Sequence, residues 1–151
     1  MPVETFTPDS ASTCPPDASE ILPRLFQGDA HRLRGGVYDH VVSLEVTSAR
    51  FYAVPEATTE TVLGLSDTSM ERHDEVAALI ADTYRRWVGG QTILVRCAAG
   101  LNRSGLIVAG VLIADGASPQ EAITTVRSRR HAAALGNDAY VAWLHSFAPA
   151  V

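Results

Sequence analysis

The chain has 151 residues, of which 46% are apolar and 19% are charged. This length and composition predict one globular domain with a full hydrophobic core and argue against a second domain. The formal net charge is −5, and all twelve basic residues are arginine. Because a broad nucleic-acid-binding face needs a surplus of basic side chains, we expect no nucleic-acid partner, and a bound anion requires a local site.

Neither a membrane span nor a secretory signal is predicted. The N-terminus has no basic start followed by an apolar run, and no stretch of about 18 consecutive apolar residues occurs. We therefore expect a cytoplasmic protein without a membrane partner. The chain has two cysteines, and Cys14 lies in a proline-rich tail far along the sequence from Cys97. This pattern supports neither a disulfide framework nor a four-ligand zinc site, so Cys97 is expected to be a free thiol.

The first part of the chain predicts a flexible segment followed by short strands. Residues 1–19 mix Pro, Ser, Thr and Asp without apolar periodicity, whereas residues 20–151 carry the patterns of a folded domain. Short apolar runs predict strands, and they lie at 21–28, at 37–46, at 50–54 or 61–65 or both, and at 92–96. The last run is rich in β-branched residues, which is typical of a strand buried on both faces.

Four helices are predicted between and after these strands. Apolar residues recur at helical spacing over 71–88 until a glycine pair ends the pattern. Residues 104–114 are almost wholly apolar, so this helix should be central. A capping box opens a helix over 118–130, and Asn137 can cap a last helix. Helices that alternate with strands around a buried strand predict a layered α/β fold.

The segment between the buried strand and the apolar helix carries the strongest functional signal. It reads CAAGLNRS, from Cys97 to Ser104. A loop that leaves a buried strand and enters a helix N-terminus points successive amides inward, where the helix dipole adds positive charge. A glycine in such a loop permits a positive φ or a close backbone approach. The residues predicted to bind an anion through their amides are Ala98, Ala99, Gly100, Leu101 and Asn102.

Three side chains complete the predicted site. Arg103 can present a planar fork to two oxygens of a phosphate group. Its charge and the loop amides favour the thiolate form of Cys97, which is then a nucleophile aimed at a bound tetrahedral anion. Ser104 can donate its hydroxyl to the sulfur when the thiolate has to leave. The alternative is an inert buried cysteine beside a surface arginine.

This segment resembles the Cys-x5-Arg-Ser/Thr signature of the protein tyrosine phosphatase superfamily, and of its dual-specificity branch in particular. Residues 21–28 resemble the opening strand of that branch, and residues 118–144 resemble its closing pair of helices. The resemblance implies a three-layer α/β sandwich with a central, mainly parallel sheet flanked by helices. It also implies hydrolysis of phosphate monoesters through a phosphocysteine intermediate, with no metal and no cofactor.

The resemblance also implies a general acid. In that family an aspartate about thirty residues before the cysteine protonates the leaving oxygen, and Asp67 lies thirty positions before Cys97. Asp67 then acts as the base that activates water. A simpler explanation is that Asp67 caps the following helix. Asp74 is the fallback acid, whereas a first-turn helix position accounts for Asp138.

The resemblance implies a substrate class. The charged residues outside the predicted site do not indicate one by themselves. The implied substrates are proteins carrying phosphotyrosine, phosphoserine or phosphothreonine, or small phosphate esters. Three arginines, Arg127, Arg129 and Arg130, are predicted to form a solvated helix end; the alternative is that they flank a groove for a phosphoprotein. The histidines lack metal-ligand spacing, and they are His31, His40, His73, His131 and His145.

Two features depart from the family pattern. Most members have histidine directly before the cysteine, whereas this chain has Arg96, which can donate to loop carbonyls and favour the thiolate through its fixed charge. A pseudophosphatase that binds phosphorylated ligands without turnover is therefore an alternative. Asn102 before Arg103 is similar to the RNA 5′-triphosphatase domains of capping enzymes, whose anhydride substrates need no aspartate acid. The acidic net charge and the presence of Asp67 make this alternative the weaker one.

Overall fold

In the computed structural model, residues 18–29, 38–46 and 53–149 are described. Within these ranges five strands form one sheet, and four helices lie between and after them. The strands are β1 (Ala18–Leu22), β2 (Leu25–Asp29), β3 (His40–Ser43), β4 (Thr59–Val62) and β5 (Ile93–Cys97). The helices are α1 (His73–Val88), α2 (Arg103–Ala114), α3 (Pro119–Arg129) and α4 (Asp138–Ser146).

The strand β5 lies at the centre of the sheet, whose strand order is β1-β2-β5-β3-β4. It runs parallel to its neighbours β2 and β3, and β4 runs parallel to β3. Of these five strands, β1 alone is antiparallel to its neighbour. All residues of β5 are buried, as expected for a parallel strand covered on both faces. The predicted α/β fold with a central, mainly parallel sheet is confirmed.

The chain between residues 18 and 29 forms a hairpin, although one strand was expected over 21–28. Pro23 and Arg24 separate β1 from β2, and Leu22 pairs with Leu25 across the turn. Proline supplies no amide hydrogen for a ladder, and Arg24 adopts a left-handed φ of 69°. The Arg24 guanidinium also donates to the Trp87 carbonyl at 2.8 Å, which fastens the turn to α1.

The four helices share one core with the sheet. The helix α2 is buried from Ser104 to Ile113, because its sequence is apolar almost throughout. The side chains of Ile93, Val95 and Cys97 on β5 belong to the same core. The N-terminus of α2 is thereby fixed directly after the C-terminal end of β5, as the sequence predicts.

The predicted helix signals are present. Ser118 and Glu121 form both hydrogen bonds of the capping box at the start of α3. The side chain of Asn137 accepts hydrogen bonds from the first amides of α4. The helix α1 begins at His73 instead of residue 71, because Arg72 adopts a left-handed φ of 56°.

The strands before β5 were predicted less well. The strand β3 is shorter than the expected 37–46, and β4 begins at Thr59, before the expected 61–65. Ala53 and Val54 lie in no strand. Residues 47–52, which include the remainder of that predicted strand, lie outside the described residues, as do Cys14 and His31.

No helix in the described part of the chain combines the length and the apolar character that crossing a membrane requires.

A buried histidine lies on β3, next to two threonines of β4. His40 is 1% exposed, and its ring nitrogens lie 2.6 and 2.9 Å from the hydroxyls of Thr59 and Thr61. Burial, followed by the nearby charge of Arg86, lowers the pKa of His40 below its ordinary value of 6.5, although two carboxylates act in the opposite direction.

A group whose pKa is lowered by folding binds protons more tightly in the unfolded chain. Its contribution to stability is full above the unfolded pKa and is lost as the pH falls toward the folded pKa. We therefore expect the free energy of unfolding to decline as the pH falls below about 6.5, and His40→Gln to flatten this decline. Urea unfolding at several pH values measures both. An equally steep decline in the variant would show that other groups cause it.

Candidate active site

Cys97 ends β5 and lies at the bottom of the following loop. Its side chain is 2% exposed and is a free thiol. The Ser104 amide donates to Cys97 Sγ at 3.4 Å, and Ser104 Oγ lies 3.3 Å from the same sulfur. The sulfur is therefore in contact with the N-terminal turn of α2, where amide hydrogens favour a negative charge.

The loop from residue 98 to 102 presents amides without acceptors. Within the described part of the chain, no group accepts a hydrogen bond from the backbone amides of these five residues. Asn102 precedes α2 and makes no side-chain capping bond. Gly100 has a φ of 70°, which a left-handed turn requires. Amides in a loop at a helix N-terminus form an anion-binding concavity.

The carbonyls of this loop are held by other parts of the fold. Gly100 O accepts from Gln27 Nε2 at 3.1 Å and from Arg130 Nε at 3.0 Å. Ala99 O accepts from Arg130 Nη2 at 3.5 Å, and Leu101 O accepts from the Leu135 amide at 3.3 Å. In a trans peptide the carbonyl and the next amide point in opposite directions. These bonds therefore point the backbone amides of residues 100–102 away from the groups that bind the carbonyls.

Arg130 corrects one prediction. It was expected at a solvated helix end, but it is 5% exposed and its guanidinium lies beneath the loop. Arg127 is also engaged, because it donates to the carbonyls of Ala134 and Leu135. Arg129 is exposed, as expected. Helical periodicity places Arg130 at the end of α3 but carries no information about the distant loop that this end meets.

Arg103 is the first residue of α2 and lies between two loops. Its Nη1 donates to the Leu65 carbonyl at 3.4 Å, and its Nε is 3.8 Å from Asp67 Oδ1. The Nε atom is buried and has no hydrogen-bond partner among the described residues. The guanidinium therefore offers a donor to an additional acceptor beside the anion-binding loop.

Asp67 lies in the loop between β4 and α1, which α4 holds in place. Its carboxylate is half exposed, and its backbone carbonyl accepts from Asn137 Nδ2 at 2.7 Å. The Tyr140 hydroxyl donates to the neighbouring Ser66 carbonyl. Burial, and then the charge of Asp67, raises the pKa of Tyr140 to about 12, so this hydroxyl stays a donor at neutral pH. The backbone amide of Asn137 also donates to Asn102 Oδ1 at 3.2 Å. This contact connects the loop that carries Asp67 with the loop 98–102.

The alternatives to Asp67 lie elsewhere. Asp74 and Asp138 are exposed in the first turns of α1 and α4. Asp67 is not the cap of α1, because Arg72 occupies that position and makes no side-chain capping bond. Of these three aspartates, Asp67 is the one paired with Arg103.

The side-chain hydrogen bonds of Arg96 to other described residues go to β3 and β4 and not, as expected, to the loop carbonyls. Its side chain is fully buried, and it donates to Ser43 Oγ at 2.8 Å and to Glu60 Oε2 at 3.0 Å. Side chains alternate across a strand, so Arg96 lies on the sheet face opposite to Cys97. Its charge is paired with Glu60, and the loop carbonyls are held by Gln27 and Arg130.

The described residues include no group of three or more His, Cys, Asp or Glu side chains that could hold a metal ion.

Comparison with known proteins identifies the fold. No protein-family model and no curated protein sequence matches the chain. A mouse putative dual specificity phosphatase complexed with zinc tungstate matches with a TM-score of 0.74 at 22% identity, covering 91% of this chain and 89% of that one. Human DUSP28 has a TM-score of 0.73 at 23% identity, with 90% and 95% covered. The human tyrosine phosphatase-like serine/threonine/tyrosine-interacting protein has a TM-score of 0.71 at 20% identity, with 85% and 93% covered. The chain has the fold of the dual-specificity phosphatases.

This phosphatase fold confirms the architecture that the segment 97–104 implied. The sequence placed Cys97, Arg103, Ser104 and Asp67 in one site, and the contacts above bring them together. Sequence reasoning missed Gln27 and Arg130. The polar residue after the apolar pair Leu25 and Phe26 was the one available signal for Gln27, and it did not indicate which loop the side chain meets.

Gly100 is the residue whose replacement tests the anion-binding loop. A Cβ atom there would lie 2.5 Å from the Gly28 carbonyl carbon, in addition to the strain of a φ of 70°. We expect Gly100→Ala to lower the free energy of unfolding by about 2–4 kcal/mol and to move the loop. Phosphate should then no longer raise the melting temperature, whereas it should do so for the wild type.

Gly116→Ala is the matched control. Gly116 also has a positive φ, of 108°, but a Cβ there would meet no atom within 4 Å. This variant should carry the backbone strain alone, about 1–3 kcal/mol, and should keep the phosphate effect. An undiminished phosphate effect in Gly100→Ala would contradict the assignment of the loop as the anion site.

Proposed function

We propose that the protein is a cysteine-dependent phosphatase that hydrolyses phosphate monoesters through a phosphocysteine intermediate. The observation that carries this proposal is the loop 98–102, whose amides lack acceptors among the described residues while Cys97 Sγ lies at its base. A tetrahedral phosphate has the oxygens that such amides and the Arg103 guanidinium can bind.

In the first step the Cys97 thiolate attacks phosphorus. A sulfur–phosphorus bond forms as the bond from phosphorus to the ester oxygen breaks. The loop amides and Arg103 hold the remaining phosphate oxygens and stabilise the charge that develops on them. Asp67, which lies beside Arg103, donates a proton to the departing oxygen.

In the second step water attacks the phosphocysteine. Asp67, now ionised, removes a proton from the water molecule, and the sulfur leaves as a thiolate. Ser104 Oγ, 3.3 Å from the sulfur, donates a hydrogen bond that stabilises this leaving group. At the end of the cycle Cys97 is again a thiolate, and Asp67 is again protonated, now by a proton from water. The loop amides and Arg103 stabilise the phosphate charge, so the proposed cycle uses no cofactor or metal.

The proposed substrates are phosphorylated proteins or small phosphate esters. The support is the fold shared with proteins described as dual specificity phosphatases, one of which is complexed with zinc tungstate. Tungstate is a tetrahedral oxyanion like phosphate. We further propose that the protein acts in the cytoplasm, where Cys97 stays reduced. A binding protein without turnover remains the second candidate, since one protein of this fold is described only as tyrosine phosphatase-like and as an interacting protein.

Cys97→Ser tests the nucleophile. Purified wild-type protein should hydrolyse p-nitrophenyl phosphate, and the variant should lose this activity by about 10³-fold or more. The other cysteine supplies the control, because Cys14→Ser should retain the wild-type rate. If the wild type is no faster than Cys97→Ser while both bind phosphate, the protein is the non-catalytic binder.

Asp67→Asn tests the general acid. With phenyl phosphate, whose leaving group needs a proton, we expect kcat to fall about 10²-fold. The loss should be smaller with p-nitrophenyl phosphate, because that leaving group departs as an anion. Asp74→Asn, on the exposed first turn of α1, is the control and should change neither rate. Equal rates for Asp67→Asn and the wild type on both esters would exclude Asp67 as the acid and would favour an anhydride substrate.

A further inference from the structure

Gln27 is a buried polar residue at the base of the anion-binding loop. It lies on β2, opposite Val95 of β5, and is 0% exposed. Its Nε2 lies 3.1 Å from Gly100 O, 3.2 Å from Ser104 Oγ and 3.5 Å from Leu101 O. One side chain thus contacts both the loop backbone and the hydroxyl beside the reactive sulfur.

The orientation of the Gln27 amide is determined by its surroundings. Two of the three nearby acceptors are backbone carbonyls, which cannot donate, so the NH₂ group must face them. The reverse orientation would place Oε1 against Gly100 O. The Oε1 atom is buried and has no partner among the described residues. Such an atom costs free energy, so the residue is not explained by stability alone.

The contact with Gln27 determines where the Ser104 proton points. Because Ser104 Oγ accepts from Nε2, its own hydrogen is directed to another acceptor. No carbonyl in the described ranges accepts from this hydroxyl, and Cys97 Sγ is 3.3 Å away. In the thiol form Cys97 Sγ donates to Ser104 Oγ, but an ionised sulfur can only accept, and the Ser104 hydroxyl is then placed to donate to it.

We propose that Gln27 is a positioning residue that acts through Ser104 to stabilise the ionised form of Cys97, and that fixes Gly100 O so that the next amide faces the anion. This inference deepens the proposed function and rests on it for its catalytic meaning. Arg96, directly before the cysteine, contacts Ser43 and Glu60 on the opposite face of the sheet. Gln27 and Arg130 both contact the loop carbonyls, and of these two side chains Gln27 is the one that also contacts Ser104 Oγ.

The test measures the pH dependence of Cys97 alkylation by iodoacetamide in a Cys14→Ser background. Gln27→Met removes the donors while keeping an unbranched side chain of similar length, and Gln27→Leu serves as a second variant. We expect the midpoint of the alkylation curve to rise by about 0.5–1 pH unit in both. The melting temperature should be retained or raised, because an unpartnered buried oxygen is removed.

Gln91→Met is the matched control. Gln91 precedes β5 at its other end, and its Oε1 is also buried without a partner among the described residues. This variant should leave the alkylation midpoint unchanged. A shift equal to that of Gln27→Met would mean that any loss of a buried glutamine has this effect, and it would overturn the proposal.

A double-mutant cycle with Ser104→Ala tests whether Gln27 affects Cys97 through the Ser104 hydroxyl. If Gln27 acts through the Ser104 hydroxyl, Gln27→Met should shift the midpoint little or not at all in the Ser104→Ala background. An undiminished shift there, or no shift in the wild-type background, would contradict the proposal. Because alkylation needs no substrate, this result is separate from turnover: absence of hydrolysis by the wild type would remove the proposed function and leave this measurement intact.

Discussion

The hydrogen bonds that hold the carbonyls of residues 99–101 are the interactions on which the site depends. Gln27 from β2, Arg130 from the end of α3 and the Leu135 amide each bind one or more of these oxygens. The amides that follow are left to point the other way, and an unpaired amide is costly unless an acceptor or water reaches it. The fold therefore leaves amides of the loop 98–102 available to an anion. The surrounding core prevents the loop from moving so that these amides find acceptors within the protein.

The same helices that close the core also place the second loop of the site. Asn137 caps α4 through its Oδ1, and its Nδ2 donates to the Asp67 carbonyl. Its backbone amide donates to Asn102 Oδ1. Tyr140, one turn later, donates to the Ser66 carbonyl. Because Asn137 joins the loop that carries Asp67, the loop 98–102 and the N-terminus of α4, the position of Asp67 is tied to the stability of α4.

Local signals predicted much of this arrangement. The apolar helix after a β-branched strand and the capping box at Ser118 depend on neighbouring residues, and they formed as predicted. The strand–loop–helix geometry of the segment from Cys97 to Ser104 likewise depends on residues that are adjacent in the sequence. The roles of Gln27, Arg96 and Arg130 depend instead on strand register and on which end of a helix meets a distant loop, and no pattern within a short window contains that information. The β1–β2 turn also has a local signal, Pro23. The prediction of a single strand over 21–28 did not take this proline into account.

The depth of Cys97 has a consequence for oxidation. Cys97 is 2% exposed and lies at the base of the loop 98–102, so a reagent must be small to reach its sulfur. Hydrogen peroxide is a small oxidant, whereas glutathione disulfide is a large one. Oxidation of Cys97 would therefore begin with a sulfenic acid and not with direct disulfide exchange, and small thiols that reach the same depth would be the agents that restore the thiol.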